Sequence, residues 1–151
     1  MRGINRARPR TGHSRAQDVP APTNHAARTV AAGVGRSGAP HVTPVWFVLD
    51  DKQLVLTISA ESVKGRNLRR DPRVAVVVDD ETPPFAFVHI RGRAALSEDP
   101  GELLRYATEI GGRYMGAERA GEFGRRNAVP GELLVRITPE RVISKTDLAG
   151  Y

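Results

Sequence analysis

A hydroxyl-rich, cationic cluster occupies residues 59–67: Ser59, Ser62, Lys64, Arg66 and Asn67. Hydroxyls and cations beside the free backbone N–H groups of a helix start make a generic anion site, suited to a phosphate. Lys64 and Asn67 stand three residues apart, so on a helix both point the same way. The same residues also read as a solvated basic helix, with Lys64, Arg66, Arg69 and Arg70 as ordinary surface charges. Local chemistry leaves both readings open.

Other motifs carry less. Gly33-Val34-Gly35-Arg36-Ser37-Gly38 spells GxGxxG, but a dinucleotide turn must open a helix. Here Ala39-Pro40-His41-Val42-Thr43-Pro44 follows, with two prolines in a strand pattern. The glycines are read as a strand-to-strand turn. His41 and His89 are lone histidines in strand patterns without a nearby Ser or Asp partner for nucleophile activation. The four histidines lack metal-ligand spacing, and the absence of cysteine excludes disulfides and thiolate chemistry. Asp50-Asp51 and Asp79-Asp80-Glu81 fall in turns, so paired-carboxylate chemistry has no support. Trp46 and Phe85 read either as core or as flanks of a flat conjugated ligand.

The elements that must position these residues are mostly strands. Thr29–Val34 reads as a weak first strand. His41–Leu49 alternates strongly, with His41, Thr43, Val45, Phe47 and Leu49 on one face, and Pro44 argues for an edge or a bulge. Asp50-Asp51-Lys52 makes a hairpin turn into Gln53–Ser59. There Leu54, Leu56 and Ile58 face the core, while Gln53, Val55, Thr57 and Ser59 form an opposite row that can wall a ligand. Ser62–Arg70 is a short helix, capped by Ser62 or Ser59 and stopped at Asp71-Pro72. Arg73–Val78 is a strand expected to be buried on both faces. Phe85–Leu96 follows, with Gly92 marking a bulge or a close approach. A helix opens at Asp99-Pro100 and runs to about Tyr114, with a further short one near Ala117–Gly124. Glu132–Thr138 is the last strong strand, and Arg141–Lys145 extends it past a kink at Pro139. Six strands and few helices indicate a small antiparallel β-barrel with appended helices.

The length of 151 residues suits one domain, and no apolar run is long enough to span a bilayer. The start, MRGINRARPR, lacks the apolar stretch of a signal peptide. Residues 1–28 are Arg/Pro-rich and read as a disordered or diverged segment; 29–151 form the folded domain. The net charge of +6 sits entirely in residues 1–40, which hold seven Arg and one Asp. A neutral body with a basic tail is a poor match to a folded nucleic-acid-reading surface. A soluble, cytoplasmic protein without nucleic-acid or membrane partners is the expectation.

From about Thr29 onward the chain resembles the deazaflavin (coenzyme F420) branch of the pyridoxamine-phosphate-oxidase-like split barrels. The resemblance rests on GAPHVTPVWFVLDD, LVLTIS, SVKGRNLRRDPRVAVVVDD, PPFAFVHIRGRAAL and GELLVRITPERVI followed by DLAGY, in that order. It implies a six-stranded antiparallel split β-barrel with short peripheral helices, acting as a homodimer with the cofactor at the interface. It implies that Ser59 (or Ser62) and Lys64, with Arg66 and Asn67 alongside, hold the cofactor's phosphate. It also implies that Thr43, Pro44, Val45 and Trp46 line the ring, that Thr57 shares the face of Ser59, and that Phe85 closes the groove. The activity implied is F420-dependent reduction of an activated double bond in a small acceptor. An FMN-binding flavoprotein and a non-catalytic deazaflavin- or flavin-binding protein are the alternatives. One departure stands out: the N-terminal helix usual in that family is not recognisable in NHAARTVAAGVGRSG and what precedes it.

Overall fold

The structure is a computed structural model that describes residues 28–150. All but one residue of the expected tail, 1–28, thus lie outside the described residues. The strands are β1 (Arg28–Val34), β2 (Pro40–Pro44), β3 (Val48–Asp50), β4 (Gln53–Ser59), β5 (Arg73–Asp80), β6 (Ala86–Ser97) and β7 (Glu132–Thr146). The helices are α1 (Val63–Arg70), α2 (Pro100–Met115) and α3 (Ala120–Asn127), with one 3-10 turn at Ala117–Arg119.

The strands form one seven-stranded antiparallel sheet in the order β2-β1-β5-β6-β7-β4-β3. Its two edge strands, β2 and β3, are joined in sequence by only Val45, Trp46 and Phe47. The four residue steps from Pro44 to Val48 reach roughly 14 Å when extended. The sheet must therefore curl until its edges approach, yet no ladder joins β2 to β3. This is a barrel left split along one seam, mainly β with peripheral helices, as the sequence pattern indicates.

The expected single strand His41–Leu49 is broken at that seam, which turns six predicted strands into seven segments. Pro44 has no N–H to give a ladder. Beyond it, α2 takes over the backbone groups of Phe47. Its N–H donates to the Tyr114 hydroxyl at 3.3 Å, and its carbonyl accepts from the Arg113 guanidinium at 2.8 Å. The alternation nevertheless holds through the break: Val45 and Phe47 are buried, and Trp46 is 43% exposed.

The barrel interior packs Phe47, Leu54, Leu56, Val76, Ile90 and Ile137 among others. β5 is not buried on both faces, contrary to its unbroken apolar sequence. Val74, Val76 and Val78 point inward, whereas Val77 is 38% exposed on the outer face. A second, smaller core lies outside β4, where Val55 and Leu134 pack on Leu103 and Tyr106 of α2. Polar bonds fasten the same contact. The buried Tyr106 hydroxyl donates to Asp50, and Arg136 donates to both Asp50 at 3.1 Å and Glu102 at 2.9 Å.

Two glycines are dictated by close approach. β6 and β7 slip register at Arg91/Gly92, and a Cβ on Gly92 would collide with the Thr138 carbonyl oxygen. Beyond this bulge β7 continues unbroken past Pro139 to Thr146. A Cβ on Gly65 would lie 2.5 Å from the Ser59 carbonyl oxygen, so the first turn of α1 presses on the end of β4. Ser62 is the cap: its Oγ accepts from the Gly65 N–H at 3.0 Å and donates to the Ser59 carbonyl at 2.6 Å. Asp99 caps α2 by accepting from the Glu102 N–H at 2.8 Å, with Pro100 in the first turn. Among the described residues no helix is long and apolar enough to cross a membrane.

Candidate functional site

The seam of the barrel opens into a cleft of about 390 Å³, within the range of small-molecule sites. One wall is the connection after β2: Pro44, Val45 and Trp46. The other is the end of β4, with Thr57 and Ser59 on its outward row, and Lys64 from the first turn of α1. The split of the sheet and the pleat of β4 thus bring together two segments more than ten residues apart in sequence.

The aromatic end has a built geometry. The Trp46 indole stacks on Tyr114 of α2, with centroids 4.9 Å apart and planes 4° from parallel, and tilts against Phe123 of α3 at 6.0 Å. Trp46 is therefore neither core nor free surface. It is a braced ring with part of its area open to the cleft. Ile110 of α2 supplies further apolar lining.

The cationic end is partly desolvated. Burial pushes the Lys64 ammonium below its ordinary pKa, so the charged form lacks full hydration. Glu132 opens β7 directly opposite Ser59 in the ladder, and burial pushes its carboxyl above the usual range. A hydroxyl, a desolvated cation and a carboxyl that resists ionisation suit an anionic group better than a metal ion. Among the described residues no cluster of three or more His, Asp or Glu side chains is placed to hold a metal.

Of the residues expected to form a site, the cleft gathers Pro44, Val45, Trp46, Thr57, Ser59 and Lys64. The others are placed elsewhere. Thr43 turns inward, with a buried hydroxyl that finds no hydrogen-bond partner. Ser62 is committed to the α1 cap. Arg66 points back, its guanidinium donating to the Glu61 carbonyl. Asn67 is 5% exposed and accepts from Arg70 at 3.1 Å, so it faces the barrel and not the cleft. Phe85 is exposed, precedes β6 with φ 63°, and does not line the cleft. Ile58, Ile110, Asn127 and Glu132 complete the lining, and the sequence did not single them out as site residues. One signal was available for Ile110: its helical spacing from Leu103 and Ala107, which puts all three on the buried face of α2.

Comparison with known proteins places this architecture. The family described as Pyridoxamine 5'-phosphate oxidase matches residues 23–146. A conserved hypothetical protein of Mycobacterium tuberculosis is 30% identical with a TM-score of 0.70, covering 81% of this chain and 78% of its own. An F420 reductase is 23% identical with a TM-score of 0.60, covering 77% of this chain and 88% of its own. A pyridoxamine 5'-phosphate oxidase-related, FMN binding protein from Nostoc punctiforme is 19% identical with a TM-score of 0.57, over 78% of this chain and 72% of its own. No curated protein matches. The match spans both walls of the cleft and every strand that shapes them: this chain belongs to the pyridoxamine 5'-phosphate oxidase family of split barrels.

Proposed function

We propose that this chain is an F420-dependent oxidoreductase, in which reduced deazaflavin reduces an activated double bond of a small organic acceptor. One observation carries the reading: a single cleft joins an aromatic and apolar wall, Val45 with the braced Trp46, to a phosphate-suited end, Ser59 with Lys64. Such a cleft fits a flat ring with a phosphorylated side chain. The cofactor, when bound, supplies the hydride, and the protein supplies binding, orientation and exclusion of water.

Each residue then has a role set by its chemistry. Lys64 regains a counter-charge from the phosphate in exchange for lost hydration. The Ser59 hydroxyl donates to the same group. Thr57 stands on the same row of β4, nearer the aromatic wall, and offers a hydroxyl to a ring edge. Val45, Ile110 and Trp46 exclude water from the ring. The cleft opens to solvent beside the exposed Trp46 and Val42, so a second copy of the chain is proposed to cover it, giving a homodimer with two shared sites. An open cleft with a cation at its end favours the longer anionic tail of F420 over the compact FMN.

Titration of the purified chain with F420 and separately with FMN, read by quenching of its one tryptophan, tests the assignment. Tight F420 binding with weak FMN binding supports it and leads to a screen of acceptors. The reverse preference assigns FMN. Tight binding without turnover of any acceptor makes the chain a cofactor-binding protein, and binding of neither refutes the cleft as a flavin site.

A further inference from the structure

β5 has the sequence of a strand buried on both faces, yet one copy of the chain buries only one of them. An antiparallel strand with a solvated face alternates apolar and polar residues. β5 instead turns Ala75 and Val77 outward, and Val77 is exposed. The helices pack elsewhere: α2 lies against β4 and the start of β7, and α1 presses on the end of β4.

The exposed valine belongs to a row. Val77, His89 and Ile143 stand opposite one another on β5, β6 and β7, so their side chains share the outer face. His89 and Ile143 are half-buried there. In the ladder the row continues through Val30 of β1 to Pro44 of β2, which lines the cofactor cleft. One pleat from Pro44, on the same face, Val42 is 55% exposed. An apolar band thus runs from the outside of β7 to the mouth of the cleft, and such exposed bands mark interaction surfaces.

Charge changes sign across this band. On one side stands the pair Ala75–Arg91 and on the other the pair Asp79–Phe87, each two residues, or about 7 Å, from the middle row. At the first end Arg73 and Arg93 are matched by Asp71 and Glu140 at 2.6 Å and 3.2 Å, and Arg91 adds a charge beyond those two pairs. At the second end Asp79, Asp80, Glu81 and Asp147 outnumber Arg28 and Lys145. A face that is basic at one end, apolar in the middle and acidic at the other complements itself after a half-turn. That is the requirement of a two-fold contact between identical chains.

We propose that a second copy of this chain seats on the outer face of β5, β6 and β7, with the Val77–His89–Ile143 row at the two-fold axis and Arg91 of each copy against Asp79 of the other. The equal spacing of the two flanking rows places one over the other, and sheets packed face to face lie about 10 Å apart, a gap that facing side chains span. Within one copy Ala75, the residue opposite Arg91, is four residues from Asp79, about 13 Å along the strand, so the pair forms only between copies. The inference rests on the homodimer proposed above and names its contact face. A copy seated on this row borders the cleft at Pro44.

Sedimentation velocity of the full chain over a concentration series tests it, with melting temperature as the control for folding. The parent is expected to be a dimer. Val77→Arg sets like charges together at the axis and is expected to raise the dissociation constant tenfold or more. Asp79→Arg and Arg91→Glu are each expected to do the same. The double variant Asp79→Arg/Arg91→Glu restores opposite charges and is expected to return to within about threefold of the parent. Leu104→Arg, on the exposed side of α2, is expected to leave the dimer intact. If Val77→Arg does not fold, the charge variants decide. A monomeric parent overturns both this inference and the homodimer. A dimer indifferent to Val77→Arg or to the single charge variants, one not restored by the double variant, or one dissociated by Leu104→Arg overturns this face alone.

Discussion

Burial at the cleft acts on Lys64 and Glu132 in opposite senses, lowering the pKa of one and raising that of the other. Both shifts disfavour charge, and a bound anion reverses the disfavour only at Lys64. Lys64→Ala is therefore expected to weaken F420 binding by about 1.5–3 kcal/mol, the usual worth of a charged hydrogen bond. Arg70→Ala, on the exposed side of α1, is expected to change it by less than about 1 kcal/mol. Fluorescence titration of the two variants decides this, and equal affinities would move the phosphate site elsewhere. For Glu132 the sign is explicit. Its folded pKa lies above the unfolded value, so the carboxyl favours folding at low pH and opposes it once ionised. Glu132→Gln is expected to raise the melting temperature at neutral pH and to tighten binding of a phosphorylated cofactor. A lower melting temperature with weaker binding would show that the carboxylate is needed in its charged form.

Elements hold these side chains in place through a few specific contacts. α1 delivers Lys64 because Ser62 caps its first turn and Gly65 lets that turn rest on β4. Ser62→Ala is expected to cost about 1 kcal/mol, seen as an earlier denaturant midpoint at unchanged slope. Gly65→Ala forces a methyl group onto two carbonyl oxygens and is expected to cost more, about 1–3 kcal/mol, while also displacing Lys64. α2 braces the opposite wall: Tyr114 stacks on Trp46, and Tyr106 ties the helix to Asp50 of β3. Tyr106→Phe keeps the ring and removes the bond to Asp50. About 1–1.5 kcal/mol of stability should be lost by denaturant unfolding. A value near zero would mean that water replaces the hydroxyl at that partly exposed carboxylate.

Across the whole molecule the ion pairs set an acid limit. Hydrogen bonds from Arg73 hold Asp71 down to about 2, those from Tyr106 and Arg136 lower Asp50, and those from Arg136 and Ser97 lower Glu102. A carboxylate with a depressed folded pKa stabilises the fold above its unfolded value and stops doing so as pH falls through the folded one. For Asp71 that window runs from about 4 down to about 2. Melting temperature should therefore fall steadily over that range, and Asp71→Asn should flatten part of the fall. A profile unchanged by Asp71→Asn would show that the Asp71–Arg73 pair does not contribute to folding. The proposed homodimer belongs to this scale as well, and a monomeric mass by light scattering would leave the cleft without its cover.

Much of this protein is legible from local pattern. The strand at Gln53–Ser59, a serine cap at Ser62 or Ser59, the stop at Asp71 and a bulge or close approach at Gly92 follow from alternation, side-chain chemistry and the geometry of glycine and proline, and the structure selects Ser62 as the cap and shows both bulge and close approach at Gly92. These signals act between residues a few positions apart, which a sequence displays directly. The ligand-wall face of β4 is legible for the same reason, because the pleat alone puts Thr57 and Ser59 on one side. What tertiary structure decided was non-local. The strand through Trp46 breaks because side chains of α2, some 66 residues away, claim the backbone of Phe47. Arg66 and Asn67 leave the site because one finds a carbonyl and the other a buried position that helical spacing does not reveal. Glu132 meets Ser59, and Arg91 meets Arg141, through ladder register alone. Register is set by the packing of the whole sheet, and a shift of one residue would turn each of those side chains to the other face.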